Sequence, residues 1–446
     1  MTDYKVLFEK TSPAKLVLTV GLPGILSMFL SSMYRLVDAA FVGHLLGSTA
    51  FAALNLVIPF VILNFALSDL VGVGSSVIIA IRLGEKDEKT ASVIFSTATI
   101  MIAALGSFLG LLLFIFADDL IRLMGADSEL TVLAAQYLRV YAAFSPLTTA
   151  LFAVDNFLRL CGKVRYSLLV NVLVAVSSLI LEILFLVVFR WGIWAAALAN
   201  CLGIFLSVIV AYTPFLRKKL QLKFTRPALT KRLIRQIMTN GAPTFLNNVA
   251  GRIVSIIMNI VLLRLGGAMA VSAYGVLLYA EDILLPILYG LCDSLQPAIG
   301  YNYGARNYDR IHRIRRLYFG ICAVLSFIMT AVMFFAREAV VGIYVAATEI
   351  ELRALAAGAL SIFASAYLFR WVTLATQSFL SAIGQAGPAT ILSICFAFVF
   401  PLAALVLLSP LGLLGIWLNM PVACLASSLL AAFFLKRTEK SIAGTT

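Results

Sequence analysis

Two charged residues stand three positions apart in the stretch SSMYRLVDAAFVG, residues 31–43: Arg35 and Asp38. The stretch lies in a long apolar run. In lipid a charge at the centre of such a run costs roughly 2.5–3.5 kcal/mol. An acid kept there can hold a proton or a small cation and release it when its surroundings change. Seven acids lie within runs of this kind: Asp38, Asp69, Asp155, Glu182, Glu281, Asp282 and Asp293. Four arginines accompany them: Arg35, Arg139, Arg252 and Arg370. Fully ionised, the acids outnumber the arginines, a balance that suits a positively charged guest. Arg35 and Asp38 share a helix face at i, i+3. The spacing predicts that Arg35 holds Asp38 ionised until a proton or another cation competes.

Polar residues extend the pattern. Ser27, Ser31, Tyr34 and Asp38 recur at steps of four, three and four, which is one helical stripe. Asn248, Arg252, Ser255 and Asn259 repeat the spacing, and Arg370, Thr373, Gln377 and Ser381 form a third set. A lone Ser or Asn in such a run often serves only to bond a neighbouring helix. As sets, the stripes predict a wet cavity. Tyr34, Arg35, Asn64, Asp69, Arg252, Asn259, Arg370 and Gln377 are its candidate lining. Pro23 and Pro243 each fall inside a run, where proline removes a helix hydrogen bond and bends the chain. Pro23 is the candidate hinge.

The elements that must carry these residues follow from composition. The 446-residue chain is 62% hydrophobic and 12% charged, with a mean hydropathy of +1.02. Soluble proteins are roughly 45–50% apolar, so the solvent of most of this chain is lipid. Spanning-length runs occur near 16–41, 50–81, 93–117, 131–157, 167–189, 193–215, 237–264, 270–300, 315–336, 352–380, 388–409 and 412–435. They lack the ten-residue alternation of a membrane barrel. The expected fold is an all-α integral membrane protein with twelve transmembrane helices.

The net charge of +13 would suggest nucleic acid in a soluble protein, but its distribution excludes that. With the N-terminus inside, the external segments hold only Arg122, Arg190, Arg264, Arg337 and Arg353. The loop 217–235 alone holds Arg217, Lys218, Lys219, Lys223, Arg226, Lys231, Arg232 and Arg235. This asymmetry predicts both termini in the cytoplasm of a multi-pass protein of the cell (inner) membrane. The basic loops can also meet anionic lipid. The six cysteines form no CxxC pair, and both histidines, His44 and His312, fall in expected loops. No structural metal, disulfide or cofactor is expected. The short polar N-terminal arm and full-length first run predict no cleavable signal peptide.

The chain also repeats itself. GLP at 21–23 falls on GAP at 241–243, and Gly47, Ala50 and Ala53 fall on Gly267, Ala270 and Ala273. Further on, FLRLCG at 157–162 meets FLSAIG at 379–384, and GIW at 192–194 meets GIW at 415–417. Two six-helix lobes related by a parallel repeat follow, 1–216 and 237–446, joined by a basic cytoplasmic linker at 217–236. In this register Asp38 meets Met258, and Glu182 meets Ala404 or Leu405. Neither acid has a mate, so neither is required by the repeated scaffold. Ser178 stands one turn before Glu182, and Asn200 lies in the next run. Asp38, Glu182, Ser178 and Asn200 are the candidate ion-coupling set, with Na+ at Asp38 and Glu182 as one option and a proton as the other. Asp155, near the cytoplasmic end of its run, has simple solvation as an alternative role.

Several stretches resemble the multidrug and toxic compound extrusion (MATE) family: YRLVDAAFVGHLLGSTAFAALNLVIPF, LGEKDEKTA, FLRLCGK, GGAMAVSAYGV, LQPAIGYNYGARNYDR and GIW. The resemblance covers both halves. It implies a two-lobed antiporter that exports organic cations against H+ or Na+ by alternating access. In the proton-coupled branch it implies a first-span aspartate, matched by Asp38. It also implies an Asn and an Asp one turn apart in the fifth span and a Thr in the sixth, which here read Ser178, Glu182 and Asn200. The span 7 acid of the Na+-coupled branch falls near Gly251. The alternative is a lipid-linked saccharide flippase of the wider superfamily, which the four intramembrane arginines would suit. An embedded enzyme would need a nucleophile–base pair or metal cluster at membrane depth, and neither is visible. Expected partners are small organic cations and lipids, with a monomer sufficient.

Overall fold

The computed structural model describes residues 4–443, without the side chains of residues 39, 40, 48 and 441–443. It is all-helical across these residues, apart from short turns and the segment after residue 216. A short π-helical arm, Val6–Lys10, precedes α1 (Pro13–Leu46), α2 (Ser48–Gly84), α3 (Glu88–Ile115) and the short α4 (Ala117–Leu123). Next come α5 (Ser128–Ala143), α6 (Ser145–Leu160), α7 (Val164–Glu182) and α8 (Ile193–Leu216). The second half holds α9 (Lys231–Gly304), α10 (Tyr308–Phe335), the short α11 (Arg337–Tyr344), α12 (Ile350–Ala364) and α13 (Tyr367–Ala382). It closes with α14 (Ala386–Ile394), α15 (Phe400–Leu408) and α16 (Leu413–Ala443).

Among the described residues, nine helices are long and apolar enough to cross a membrane, or eleven segments when each bent pair is one span. The pairs α5–α6 and α12–α13 bend by 57° and 50°. The 74-residue α9 is two spans meeting at Gly267, where φ is 62° and ψ −161°, which brings the number to twelve. Essentially only glycine adopts that conformation. Gly47, its repeat mate, has φ 88° and ψ 176° and separates α1 from α2. Large apolar side chains such as Leu18, Phe108, Leu169, Ile180 and Leu429 are exposed on the helices, as lipid-facing positions require. The protein is a multi-pass membrane protein.

The repeat is written into the backbone. Lys86 and Arg306 both take positive φ, as do Gly162 and Gly384. Asp87 caps α3 by accepting from the Thr90 amide at 3.0 Å. Its mate Asn307 caps α10 by accepting from the Arg310 amide at 3.4 Å. The short α4 and α11 are mates that the hydropathy runs did not reveal. Their few residues follow directly on α3 and α10 and read as loop by composition.

The chain divides into two compact units. Unit 1 comprises residues 1–11, 26–245 and 300–306, and unit 2 comprises 12–25, 246–299 and 307–446. In unit 1, small residues on α8 (Ala195, Ala196, Ala197 and Ala199) are buried in a core with Val42, Val57, Leu138 and Ile193. The expected linker ends earlier than its charge suggests. Thr230 accepts from the Leu233 amide at 3.3 Å and starts α9 there, so residues 231–236 are helical. Upstream, the segment lies on α3. Backbone amides of Lys223, Thr225 and Ala228 donate to Ser92 Oγ, Ser96 Oγ and Thr97 Oγ1 at 3.2, 2.9 and 3.0 Å.

Both expected proline interruptions are continuous helix. α1 runs through Pro23, and α9 runs through Pro243. The passage of α1 from unit 2 to unit 1 falls after Ile25, and that of α9 from unit 1 to unit 2 falls after Phe245. Each lies two residues beyond its proline.

Candidate functional site

The site in unit 1 is assembled from α1, α5, α7 and α8. Glu182 is the last α-helical residue of α7, and the chain then widens into a π-helical turn, Ile183–Val188. Its side chain is 1% exposed, and Ser178, one turn earlier, is fully buried. α7 can lie this close to α8 because residue 203 is glycine. A Cβ there would meet Ser178 Oγ at 2.1 Å. Ser178 Oγ donates to the Asn200 carbonyl at 3.5 Å, and Asn200 Nδ2 donates to Tyr34 Oη at 3.1 Å. Tyr34 and Asp38 sit one turn apart on α1, and the Asp38 carboxyl faces that of Glu182. Tyr137 on α5 is buried beside Asp38, Tyr34 and Tyr141.

Two features decide the chemistry of this cluster. Among the described residues, no protein hydrogen bond of good geometry reaches either Glu182 carboxylate oxygen. Burial and the neighbouring carboxyl are the influences that bear on each member of the Asp38–Glu182 pair. Arg35 is exposed on α1, and the carboxyl that faces Asp38 is that of Glu182. Two like charges about 4 Å apart repel by roughly 4 kcal/mol at an effective dielectric of 20. The pair therefore has strong reason to take up one positive charge.

The other expected lining residues fall into different surroundings. Asn64 spends its hydrogen bonds within unit 1: Nδ2 donates to Thr148 Oγ1 at 2.7 Å and Oδ1 accepts from Ser145 Oγ at 3.0 Å. It thereby ties α2 to the bend between α5 and α6. Asp69 is buried on α2. Asp155 is not simply solvated. It pairs with Arg159 at 2.6 Å, where the two are 15% and 2% exposed, and accepts from Asn171 Nδ2 at 3.0 Å. Arg139 pairs with Asp118.

Unit 2 holds the rest. Arg370 on α13 is buried and donates from Nη2 to Glu281 Oε1 of α9 at 2.7 Å. Arg252 is exposed on α9, and Tyr274 lies within electrostatic reach of Arg252, Glu281 and Arg370. Asn259 is half-buried on α9. Gln377 is buried on α13, with no partner for Oε1 among the described residues. Pro23 is half-buried on the first part of α1.

Sequence reasoning missed Tyr137, Tyr141 and the Glu281–Arg370 and Asp155–Arg159 pairs. The last was available from its i, i+4 spacing. Glu281 and Arg370 lie on helices far apart in sequence, and no local pattern joins them.

The MatE family model matches residues 23–184 and 243–405, one stretch in each half. The chain belongs to the MatE family. Among curated relatives it is similar to the multidrug export protein MepA of Staphylococcus aureus strain MSSA476. The identity is 24% over 437 residues, covering 96% of this chain and 95% of that one. The Staphylococcus saprophyticus protein of the same name is 24% identical over 436 residues, with the same coverage. Among solved structures, a MATE protein in complex with MaL6 superposes with a TM-score of 0.93 at 21% identity, covering 100% of both chains. An outward-facing multidrug resistance MATE transporter of the MOP superfamily gives 0.93 at 21%, covering 99% of both. The fold of this MatE protein is that of MATE transporters.

Proposed function

We propose that this MatE protein is a secondary active efflux transporter that exports small organic cations in exchange for H+ or Na+. The observation that carries the reading is the Asp38–Glu182 pair: two carboxyls, one from α1 and one from α7, that face each other out of water. Such a pair accepts one positive charge at a time. A cationic drug bound near it is displaced when the coupling ion arrives, and the ion is displaced in turn when the next drug enters. Ser178, Asn200 and Tyr34 hold the two helices in register. Facing carboxyls favour a proton, which they can share, over Na+, which would need further oxygens around it. The names of the MepA relatives support drugs as cargo. Two of the four arginines that would have suited a saccharide flippase already carry carboxylates, Arg139 with Asp118 and Arg370 with Glu281.

Alternating access would use Pro23, two residues from the point where α1 changes unit. The protein would work as a monomer in the cell membrane, both termini cytoplasmic, with no cofactor. An ion entering down the membrane potential supplies about 2.3 kcal/mol per 100 mV, and 1.4 kcal/mol is about a tenfold gradient. The test uses purified protein in liposomes with a fluorescent organic cation inside and proton and Na+ gradients imposed separately. Efflux driven by one gradient supports the reading. Efflux indifferent to both overturns it.

A further inference from the structure

The chain passes between the two units after Thr11 and again after Ile299. On the unit 1 side of both crossings, the N-terminal arm and the last turn of α9 hold each other. Tyr301 Oη donates to Glu9 Oε1 at 2.6 Å. A helix end leaves carbonyls to be met from outside, and Asn302 Nδ2 donates to that of Phe8 at 3.1 Å. Tyr4, Phe8 and Tyr301 are each 1% exposed, and their rings pack with centroids 6.5, 5.8 and 5.7 Å apart. The arm also rests on two turns of unit 1. At the start of α3, Tyr4 Oη donates to Glu88 Oε1 at 2.9 Å, and Lys5 Nζ pairs with the same oxygen at 3.2 Å. In the turn between α6 and α7, Gly162 has φ 71°, and a Cβ there would stand 3.3 Å from Tyr4 Cα.

Little chain separates the arm from α1. Thr11 is bonded back to the arm, its amide and Oγ1 donating to the Val6 carbonyl at 3.0 and 3.1 Å. The Ser12 carbonyl already accepts from the Leu16 amide at 2.8 Å, at the start of α1. Two residues reach about 7 Å when fully extended. A larger shift of residues 12–25 against unit 1 must therefore lift the arm from its seat. The contacts are particular to this crossing. In the repeat register Tyr301 and Asn302 fall on Ile81 and Arg82 at the end of α2, where the chain stays in unit 1. The repeated scaffold does not call for a tyrosine and an asparagine there.

We propose that the arm and the last turn of α9 form a releasable clasp, docked in one access state and lifted in the other. Phe8 and Glu9 are its holding points on the arm, and Tyr301 and Asn302 are those on α9. The proposed topology puts the clasp on the cytoplasmic face. Its part in the access cycle rests on the export reading, but the existence of a docked and a lifted position does not.

Spin labels on cysteines at Lys10 and Ala305, both exposed and both in unit 1, report the clasp by pulsed electron resonance. The full chain is used, purified, with the half-buried Cys395 replaced by serine. Wild type should show a dominant short distance and a minor longer one. The longer share should change at least twofold between acidic and alkaline buffer, or on adding the organic cation tetraphenylphosphonium. Tyr301→Phe removes one hydroxyl, keeps the ring, and should enlarge the longer share several-fold. Glu9→Ala should do the same, and it decides the matter should Tyr301→Phe fail to fold. One unchanged distance in all three proteins overturns the clasp and makes the arm a fixed anchor. A longer distance that the variants enlarge but that neither pH nor the cation shifts is fraying of a terminus, and overturns the part in the cycle. Absence of driven efflux in liposomes would count against the export reading alone, since these distances are measured without a gradient.

Discussion

Within unit 1, the end of α2 and the end of α9 meet through two repeat mates, Gly84 and Gly304. A Cβ on Gly84 would stand 2.0 Å from the Tyr301 carbonyl oxygen, and one on Gly304 would stand 2.0 Å from that of Ile81. Both obstacles are backbone, so no rotamer change can absorb them. Ordinary contact begins near 3.4 Å, so Gly84→Ala must drive the two helix ends apart by on the order of 1 Å. Overpacking of this kind costs typically about 1–3 kcal/mol. Opposing it, alanine is better than glycine in a helix by about 0.8–1.0 kcal/mol. The clash wins at most of that range, leaving a net loss of up to about 2 kcal/mol. Gly320 and Gly358 provide the control, since a Cβ at either meets nothing within 4 Å. There only the propensity term acts, and alanine should stabilise by up to about 1 kcal/mol. For domains of about 150–250 residues, 1 kcal/mol moves Tm by roughly 2–4 °C. Thermal unfolding of the purified protein should therefore separate Gly84→Ala from Gly320→Ala by several degrees. Equal Tm values for the two would refute the close-approach argument.

Three further outcomes are expected. Arg159→Leu should destabilise the protein by about 1–3 kcal/mol by taking the cation from the half-buried Asp155 carboxylate, and Asp155→Asn in the same chain should restore much of that in a Tm comparison. Asp87, outside the spans, is held below the usual carboxylate range chiefly by its hydrogen bonds from Thr90. Its stabilising effect is complete above the unfolded value near 4 and fades as pH falls through the lower folded one. Asp87→Ala should thus cost about 1 kcal/mol at pH 7, with the difference from wild type shrinking in strongly acidic buffer. Cysteines placed at Ser128 and Lys219 should label from the outer and the inner face of sealed cells respectively; labelling of both from one face would refute the span count, and exchanged faces would reverse the proposed topology.

Much of the architecture was legible because lipid imposes a simple rule on composition. Runs of apolar residues gave the spans, and the near-constant offset between halves gave the repeat that the backbone shows at Gly47 and Gly267. The bends in α5–α6 and α12–α13 were not legible, since a bent span and a straight one have the same hydropathy. In the site, Asp38 and Glu182 were singled out because neither has a mate in the other half. That is an argument about the scaffold, and it needs no knowledge of contacts. The Glu281–Arg370 pair stayed hidden because it joins helices whose approach depends on tertiary packing.

The central claim is that Asp38 and Glu182 act as one ion-coupling unit, and a double-mutant cycle on proton-driven efflux tests it directly. Asp38→Asn, Glu182→Gln and the double variant would be compared in liposomes at equal protein content, with Glu182→Asp as the conservative variant. Groups that share one site are non-additive. Each single variant should lose gradient-driven efflux, Glu182→Asp should keep part of it, and the double variant should be little worse than either single one. Losses that multiply independently, or normal driven efflux by Glu182→Gln, would contradict the account.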